Sequence, residues 1–535
     1  MVMISVPTGG AVGRTFCHAL STSGRGTVHV QILLRRDRVR RWHHDLVAAL
    51  DALDVVDGVS TAWVTGAYDP DPRLERLLRT DRRLHHLPAG RWALADPAPL
   101  EARTGAGSLQ PDLTLDVVGA DVHGGPTWGL TFDGSAGDDA AVAALLARRP
   151  PVVAVIDRVD GTTLASGRPG SEHPGLLPRA LDDLVAGVTT LITTAIRLRD
   201  VPGADVPGFS PDLRGTAPED RATNGVATSW SRRVAKTAFH AGVHGVYRRL
   251  FRAPHWRVGW RFVDAEDVID LETVTTTQWN RLPDDGYHFY ADPFPFLHDG
   301  RHHLFVEDYD HRVGRGVVSV VEMTPEGPVG TPYPVLERPY HLSYPWVGED
   351  EGELWMIPES SAAGTLEIYR AAAFPDRWEH VATLLEGAEI SDATPFRHAG
   401  RWWMTATVRH GGSFSDTLHV WHADRLRGPW TAHAANPVLV DIATARPAGR
   451  VVEREGRLLR PVQDGRTGYG AALALTEITR LDETAFEQRH VASLSPGGTW
   501  GGSRLHTLNR AGRLECIDGS ARSPRIRRRP AAERT

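Results

Sequence analysis

The sequence has almost no cysteine and no long apolar run. Cys17 and Cys516 are the only cysteines among 535 residues, so we expect no disulfide framework and a reducing compartment. No stretch approaches the roughly 20 consecutive apolar residues of a transmembrane helix, so no membrane span is expected. Residues 1–25 also lack the charged-then-apolar layout of a signal peptide, which predicts a disordered leader or a wrongly assigned start. Together these absences predict a cytoplasmic protein.

A strong charge of one sign is missing as well. The formal net charge is -6 and the isoelectric point is near 6.5, so nothing in the overall charge favours nucleic-acid binding. Only residues 521–535 are strongly basic, and we predict a disordered tail there because chain termini are usually loose. With 41% apolar and 24% charged residues, the composition is typical of a globular protein with more than one domain.

Residues 26–200 alternate between strand and helix patterns. Strands are predicted at "VHVQILL" (28–34), "VSTAWVTG" (59–66) and "DLTLDVVG" (112–119), helices at 41–53, 138–149 and 181–199, and a strand with a hairpin at 150–167. This alternation predicts an open, mostly parallel α/β sheet. Residues 201–228, rich in proline and glycine, are predicted as a linker. Residues 229–254 are predicted as a connecting amphipathic helix.

The order of these elements resembles the N-terminal domain of formyltransferases. Members of that family use an Asn, a His in a His-x-Ser-Leu-Leu-Pro loop and an Asp in an Asp-x-Gly turn. Here "HPGLLPR" (173–179) follows the hairpin instead of preceding it, and "PTWGLTFDGSAG" (126–137), at the family's position, has no histidine. The turn reads Ala165-Ser166-Gly167, so the acid is missing too. Because general acid–base catalysis needs titratable groups within reach, the resemblance implies a degenerate domain.

A glycine turn recurs through the second half of the chain. It occurs in "DGRHHLFVED", "EGELWMIPES", "AGRWWMTATV", "EGRLLRPVQD" and "AGRLECIDGS", and the glycines Gly300, Gly352, Gly400, Gly456 and Gly512 are 52, 48, 56 and 56 residues apart. A period near 50 residues with short strands is the signature of a β-propeller blade. The repeats predict a five-bladed propeller over residues 255–520.

The blade geometry gives the acidic residues of each repeat a common location. In each blade the first strand lines the central tunnel and the second runs back, so residues eight before and seven after the glycine share one face. The earlier positions are Asp292, Tyr344, Asp392, Ala448 and Arg504, and the later ones are Glu307, Glu359, Thr407, Gln463 and, shifted by one, Asp518. Carboxylates and an arginine are therefore expected at one mouth of the tunnel.

Many short motifs in this region resemble one family. "YADPFPF", "FVEDYD", "LSYPWV", "MIPES", "DATPF", "NPVLVD", "ARPAGR" and "RPVQDG" are similar to the N-terminal region of glucosamine inositolphosphorylceramide transferases and their bacterial relatives. That region is a five-bladed propeller akin to family 43 glycoside hydrolases. The plant members take their transferase name from a separate C-terminal domain, so the resemblance does not imply that glycosyl-transfer activity here.

The resemblance to family 43 implies roles for three carboxyl groups. Those enzymes invert glycosides with an Asp base, a modulating Asp and a Glu acid, whose pKa values must differ. On this pattern Asp292 is the base or nucleophile, Glu359 the acid and Asp392 the modulator. Each also has a structural alternative, since Asp292 precedes a proline and the other two are candidates for pairing with Arg446 or Arg504. The order departs from the family, because blade two begins with Tyr344.

Further polar and aromatic residues are predicted near the same mouth. The candidate substrate-binding residues are Glu307, Asp308, Tyr344, Trp346, Arg446, Gln463, Asp464, Arg504 and His506. The arginines are suited either to grip a carboxylate or phosphate on a sugar or to neutralise the acids, and Trp346 is also a candidate for the blade core. The histidines at 298, 302 and 303 lack a second ligand cluster at zinc spacing, so no metal or cofactor is expected.

The leading hypothesis is a carbohydrate-active protein that cleaves glycosides or transfers sugars at the propeller mouth. Its expected partner is a carbohydrate or another sugar-containing small molecule, and the oligomeric state is left open. Two alternatives remain: a non-catalytic glycan-binding or scaffold module, because propellers also bind without chemistry, and formyl or acyl transfer by the N-terminal domain.

Overall fold

The structure is a computed structural model of the whole chain. It describes residues 26–65, 72–105, 110–120, 125–201, 239, 242–243, 245–275, 278–498 and 500–525. The predicted leader and all of the predicted linker except residue 201 lie outside these ranges. No helix within them is both long enough and apolar enough to cross a bilayer.

The N-terminal part of the chain forms the predicted α/β sheet. Its strands are β1 Val28–Leu34, β2 Val56–Trp63, β3 Leu113–Asp116, β4 Thr127–Phe132, β5 Ser135–Ala136, β6 Val153–Asp157 and β7 Thr163–Gly167, in the order β2-β1-β3-β4-β6-β7 with β5 on β4. The first four strands are parallel, and β6 and β7 are antiparallel. The likeness to formyltransferases stays a prediction, because this order alone does not test it.

Five helices and one 3-10 turn accompany this sheet. The helices are α1 Arg41–Asp51, α2 Pro72–Leu84, α3 Ala98–Glu101, α4 Asp138–Leu146 and α5 Leu177–Leu198, and Arg36–Arg38 forms the 3-10 turn. The alternating residues of β1 and the apolar face of α1 are buried in one core with α5. α5 is buried over most of its length because it is covered by the sheet on one side and by the propeller on the other.

The second half of the chain is a five-bladed propeller, as predicted. The strands of blade 1 are His288–His298, Arg301–Asp310, Arg315–Thr324 and Gly327–Leu336, and those of blade 2 are Ser343–Asp350, Glu353–Glu359, Thr365–Ala373 and Arg377–Glu386. Blade 3 has five strands, Ile390–His398, Arg401–Val408, Thr417–Ala423, Thr431–Ala432 and Leu439–Val440. The strands of blade 4 are Val452–Arg454, Arg457–Asp464, Ala472–Leu481 and Phe486–Leu494. A short 3-10 turn, Ser361–Ala363, lies within blade 2.

Blade 5 is built from both ends of the propeller sequence. Its inner strands are Leu508–Ala511 and Leu514–Ser520, and its outer strands are Trp256–Phe262 and Asn280–Arg281. The short helix Val268–Leu271 lies between the two outer strands. Leu514–Ser520 pairs with Trp256–Phe262 along its whole length, so hydrogen bonds between distant parts of the chain close the ring.

The repeated glycines occupy the turns between the first two strands of each blade. In blade 1 Asp299 and Gly300 form a two-residue turn in which both residues have positive φ, 48° and 73°. Glycine tolerates this left-handed backbone without steric cost. The same two-residue geometry recurs in blades 2, 3 and 4, which explains why the glycine marks the repeat.

Residues around the predicted connecting helix lie beside the C-terminal end. Phe251–Arg252 pairs with Ser523–Pro524, so part of the predicted tail is a strand, whereas residues 526–535 lie outside the described ranges. Residues 242–243 and 245–250 are helical and largely exposed. The rest of the predicted connecting helix up to residue 241, apart from residue 239, also lies outside the described ranges.

A buried ion pair joins the α/β domain to the propeller. Arg168, directly after β7, contacts Asp441 through two nitrogens, with Nε–Oδ1 at 2.8 Å and Nη2–Oδ2 at 2.9 Å. The backbones also pair, because Arg168 donates its N–H to Val440 and accepts one from Ile442. Gly167 fits here because a Cβ would lie 2.8 Å from the carbonyl oxygen of Val440. The two domains therefore share a polar interface that begins at the predicted Ala-Ser-Gly turn.

Three carboxyl groups gather at the same interface, Glu172 and Asp183 from the α/β domain and Asp416 from the propeller. Glu172 Oε1 accepts hydrogen bonds from the loop at 413–415, and Asp416 accepts one from the N–H of Gly170. Burial, reinforced by the Glu172 charge, raises the pKa of Asp183 from 3.8 to about 7. Burial likewise raises the pKa of Asp416 well above its usual range.

We expect this interface to weaken as pH rises. A carboxyl whose pKa is raised by folding keeps its proton in the folded state, so its contribution is full below pH 3.8 and is lost by about pH 7. The free energy of urea unfolding should therefore fall between about pH 4 and about pH 7. Asp416→Asn should flatten that slope, whereas Asp299→Asn, an exposed turn substitution, should leave it unchanged. An identical slope in wild type and Asp416→Asn would contradict the assignment.

Candidate functional site

The acidic mouth is the end of the tunnel that contains Asp292, Glu307, Glu359 and Asp392. In three blades the first strand has a bulge here, at Asp292, Tyr344 and Asp392, where the pairing register shifts. Their φ values are 47°, 44° and 55°, a strained conformation for residues with side chains. Such strain is concentrated at functional sites and needs surrounding contacts to maintain it.

The backbone N–H of each bulge residue points to a carboxylate of a neighbouring blade. Asp292 donates to Asp518 Oδ2 at 2.9 Å, Tyr344 donates to Asp292 Oδ2 at 3.2 Å, and Asp392 donates to Glu359 Oε2 at 3.1 Å. These bonds link blades 5, 1, 2 and 3 in sequence. The carboxylates at the mouth therefore have a structural role in joining blades.

His506 bridges two of the buried carboxylates. Its Nδ1 lies 3.1 Å from Asp292 Oδ1 and 3.2 Å from Asp518 Oδ2, and its Nε2 lies 2.5 Å from the hydroxyl of Tyr469. Burial lowers the pKa of His506, but Tyr469 and the two carboxylates outweigh burial and raise it well above its usual range. Burial raises the pKa of Asp292, yet His506 and other donors lower it overall. These shifts favour an imidazolium at His506 that bridges Asp292 and Asp518.

Asp392 is held by two side chains of blade 4. Its carboxylate lies 2.5 Å from Nε of Arg446 and accepts a hydrogen bond from Gln463 Nε2 at 2.9 Å. Arg446 also lies 4.0 Å from Glu359 and donates to Ser415 Oγ. Burial lowers the pKa of Arg446, but the Asp392 carboxylate raises it overall. Arg446 is thus a permanent cation that neutralises this side of the mouth.

Glu307 differs from the other carboxyl groups of the mouth because, among the described residues, neither an arginine nor His506 forms an ion pair with it. It pairs with Ala291 across blade 1, and its Oε1 lies 3.3 Å from Nε2 of His341. Burial first, and the charges of Asp292 and Glu359 second, raise the pKa of Glu307 well above its usual range. Burial thus favours the protonated acid at Glu307, whereas the pKa of Asp292 is shifted in the opposite direction.

The other predicted site residues have partners away from this network. The Asp308 carboxylate accepts from Ser319 and contacts His288, and the Asp464 carboxylate binds Arg466. Arg504 donates to the backbone carbonyl of Tyr469. Trp346 is 3% exposed and packs edge-to-face on Trp402 in the blade core.

The sequence reasoning did not include Tyr469 and Ser415 in the site. Tyr469 contacts His506 and lies under the Arg446 guanidinium, 5.1 Å from ring centroid to carbon. Both residues lie in loops without a repeated pattern, so the blade period carries no signal for them. Asp518 was placed at the mouth by spacing, but its hydrogen bonds to the Thr507 N–H and hydroxyl come from the fold.

Asp292, His506 and Asp518 also offer atoms suited to a cation. One ligand atom from each lies within 4.8 Å of the others, and all three residues are buried. In the structure these atoms are already engaged, because His506 Nδ1 contacts both carboxylates and Asp518 accepts the Asp292 N–H. A cation would have to displace the bridging proton of His506, so the arrangement favours an ion-pair triad.

The chain has weak likenesses to solved glycoside hydrolase structures. One is Zg3597, a family 117 glycoside hydrolase from Zobellia galactanivorans, at 11% identity and a TM-score of 0.34, covering 49% of this chain and 90% of that one. Another is the GH43_1 enzyme from Xanthomonas citri with xylotriose, at 12% identity and a TM-score of 0.32, covering 42% and 78%.

Sequence comparison gives a more specific result for the propeller. Residues 273–515 match the family model "Glucosamine inositolphosphorylceramide transferase 1, N-terminal". The Oryza sativa subsp. japonica protein named glucosamine inositolphosphorylceramide transferase 1 is 30% identical over 231 residues, and its Arabidopsis thaliana counterpart is 28% identical over 228. Each alignment covers 41% of this chain but only 31% and 30% of the relative. The propeller of this chain is therefore similar to the N-terminal region of glucosamine inositolphosphorylceramide transferases, which confirms the resemblance seen in its motifs.

Proposed function

We propose that the acidic mouth binds a sugar-containing ligand and cleaves or transfers a glycosyl group, with Glu307 as the proton donor. The observation that carries this proposal is the contrast between two buried carboxyl groups of the mouth: Glu307 contacts His341 at 3.3 Å, whereas Asp292 lies 3.1 Å from Nδ1 of His506. Burial raises the pKa of Glu307, and His506 lowers that of Asp292. Acid-catalysed glycosyl chemistry requires two carboxyl groups with different pKa values, so that one is protonated while the other is ionised. The similarity of this propeller to the N-terminal region of glucosamine inositolphosphorylceramide transferases supports a sugar-containing ligand and says nothing of the transfer reaction itself.

The proposed chemistry divides the work among three carboxyl groups. Glu307 gives its proton to the leaving oxygen as the bond from the anomeric carbon breaks. Glu359, whose side chain is 11% exposed, takes the proton of the attacking water or acceptor hydroxyl. The oxygen of that water or hydroxyl forms the new bond to the anomeric carbon. Asp292, only 4% exposed, keeps Glu307 protonated by its negative charge. This scheme moves the acid role, predicted for Glu359, to Glu307.

The first test measures turnover of aryl glycosides and activated sugars by wild type, Glu307→Gln and Glu359→Gln. Loss of a general acid typically costs about 10²–10⁴-fold in rate, so both variants should fall by that amount. Glu322→Gln is the matched control, because that residue lies on the same blade in an exposed pair with Arg301.

The rate should also fall as pH rises through the raised pKa of Glu307, since the acid works only while it holds its proton. Full turnover by Glu307→Gln on a substrate that wild type uses would contradict the proposal.

A binding module is the second candidate, and one observation favours it. Asp292 and Asp392 are only 3% and 1% exposed, and their carboxylates accept hydrogen bonds from neighbouring blades, from the Tyr344 N–H and from Arg446. If wild type binds glycans but turns over no substrate, and Glu307→Gln binds equally well, the mouth is a binding site without chemistry.

A further inference from the structure

A second feature of the tunnel lies at its opposite mouth, the end where the repeated glycine turns are found. Arg450, from the "ARPAGR" motif, leaves blade 4 and donates from Nη2 to the Val347 carbonyl of blade 2 at 2.5 Å. Its guanidinium carbon lies 5.5 Å from the centroid of the Phe294 ring and 5.6 Å from that of Trp346. The side chain therefore reaches from one blade to another below the acidic mouth.

The backbone around Arg450 is fixed by close contacts. Its N–H donates to Asn509 Oδ1 at 2.9 Å, which ties it to blade 5. Gly449 precedes it with φ at 146°, and a Cβ there would lie 2.0 Å from the Leu508 carbonyl oxygen. Only glycine fits so close to another backbone. The direction of the Arg450 side chain is thus determined by three neighbouring blades.

Arg450 is a cation without an acidic partner in the described part of the chain. No carboxylate there forms an ion pair with it, and its side chain donates its hydrogen bond to a neutral carbonyl. Burial lowers its pKa to about 10, so it remains charged at neutral pH. A desolvated charge is costly unless an opposite charge compensates it, and this compensation is missing.

Two clefts lie against this unpaired guanidinium. One, between blades 4 and 5, has a volume of about 300 Å³ and contains Arg454 and Arg510. The acidic groups in this cleft are already engaged, because Asp267 binds both arginines and Glu515 binds Arg261. The other cleft, between blades 1, 2, 3 and 4, also has a volume of about 300 Å³ and includes two exposed glutamates, Glu349 and Glu453, neither of which forms an ion pair with Arg450. Arg450 is the residue that lines both.

We infer that Arg450 is the anchor of a second binding site, which takes an oxyanion such as a phosphate or carboxylate group at the mouth opposite the acidic one. A guanidinium can donate two parallel N–H hydrogen bonds to the oxygens of such an anion. Phe294 and Trp346 hold the guanidinium by ring contacts, and its Nη2 binds Val347, so Nη1 and Nε are the nitrogens assigned to the ligand. The site goes beyond the proposed glycosyl chemistry, because it uses none of those carboxyl groups.

The test is calorimetric titration of the full chain with inorganic phosphate, glucose 6-phosphate and glucose. Wild type should bind the two phosphate probes in the millimolar range or better and should not bind glucose at this site. Tighter binding of glucose 6-phosphate than of phosphate would indicate a sugar-linked anion as the natural source, and equal binding would indicate the free anion.

Substitutions locate the site. Arg450→Gln should weaken phosphate binding about tenfold or more, and Arg450→Lys, which keeps the charge, should lose less. Arg489→Gln, in the outermost strand of blade 4 and half exposed, lines neither cleft; it is the control and should retain the wild-type affinity. Glu307→Gln should also retain it, which separates this site from the acidic mouth.

Two results would overturn the inference: no phosphate binding by wild type, or equal binding by wild type and Arg450→Gln. If Arg450→Gln does not fold, Arg450→Lys decides, because unchanged affinity in that folded variant would show that the guanidinium does not hold the anion.

Discussion

Replacing Arg168 with alanine is expected to lower the free energy of unfolding by about 3–5 kcal/mol, the cost of leaving one charge of a buried pair uncompensated. The Asp441 carboxylate would remain buried with only the Ala443 N–H and the Thr444 hydroxyl as donors. Both charged groups are almost completely buried, with side chains 6% and 0% exposed. Solvent therefore cannot replace the missing guanidinium.

The position of this pair predicts how the loss will appear. Because Arg168 and Asp441 lie on different domains, the variant should release the α/β domain before the propeller unfolds. Urea unfolding followed by tryptophan fluorescence should then show two transitions for the variant and a single one for wild type. Limited proteolysis should also separate the two domains sooner in the variant than in wild type.

A matched variant distinguishes the buried pair from an ordinary one. Arg149 and Asp133 also form a bidentate pair in the α/β domain, but their side chains are 50% and 30% exposed. Arg149→Ala should cost at most about 1 kcal/mol. The double variant Arg168→Ala/Asp441→Asn should recover part of the loss, because no buried charge is left. A cost for Arg168→Ala as small as that of Arg149→Ala would refute the interpretation.

The propeller was predictable because its signal is repeated and local. A two-residue turn with two positive φ values needs glycine, so Gly300 and its counterparts mark every blade regardless of the side chains around them. In the α/β domain β1 was predicted with its observed bounds, whereas α2 was missed because "PRLERLLRTDRRL" is dominated by charged residues.

The contacts within the site were not predictable in the same way. Spacing placed Asp292, Glu359 and Asp392 at one mouth, but whether a carboxylate bonds to a backbone N–H or to a ligand depends on the bulges. Those bulges arise where the pairing register shifts, for example between Ala291 and Phe294. The residue pattern used in the sequence analysis does not predict that shift. Glu307 was predicted only as a binding residue, because its raised pKa follows from burial and from neighbouring charges of two blades.

The burial of Asp392 leads to the second large effect. Asp392→Ala should cost about 3–5 kcal/mol of unfolding free energy, because Arg446 would lose the carboxylate at 2.5 Å while staying 6% exposed. Glu359, at 4.0 Å from Arg446, can compensate only part of that charge. Chemical denaturation of the variant beside wild type measures the difference.

Two further variants show that the loss comes from the charge and not from the cavity. Asp392→Ala/Arg446→Met should be more stable than Asp392→Ala alone, since replacing both members of a buried pair is far less costly than breaking it. Glu389→Ala breaks a pair with Arg409 in the same blade region whose side chains are 46% and 29% exposed, and it should cost at most about 1 kcal/mol. If the double variant is no more stable than Asp392→Ala, the ion pair is not what fixes this side of the mouth, and the carboxylate of Asp392 would matter mainly through its hydrogen bond with Gln463.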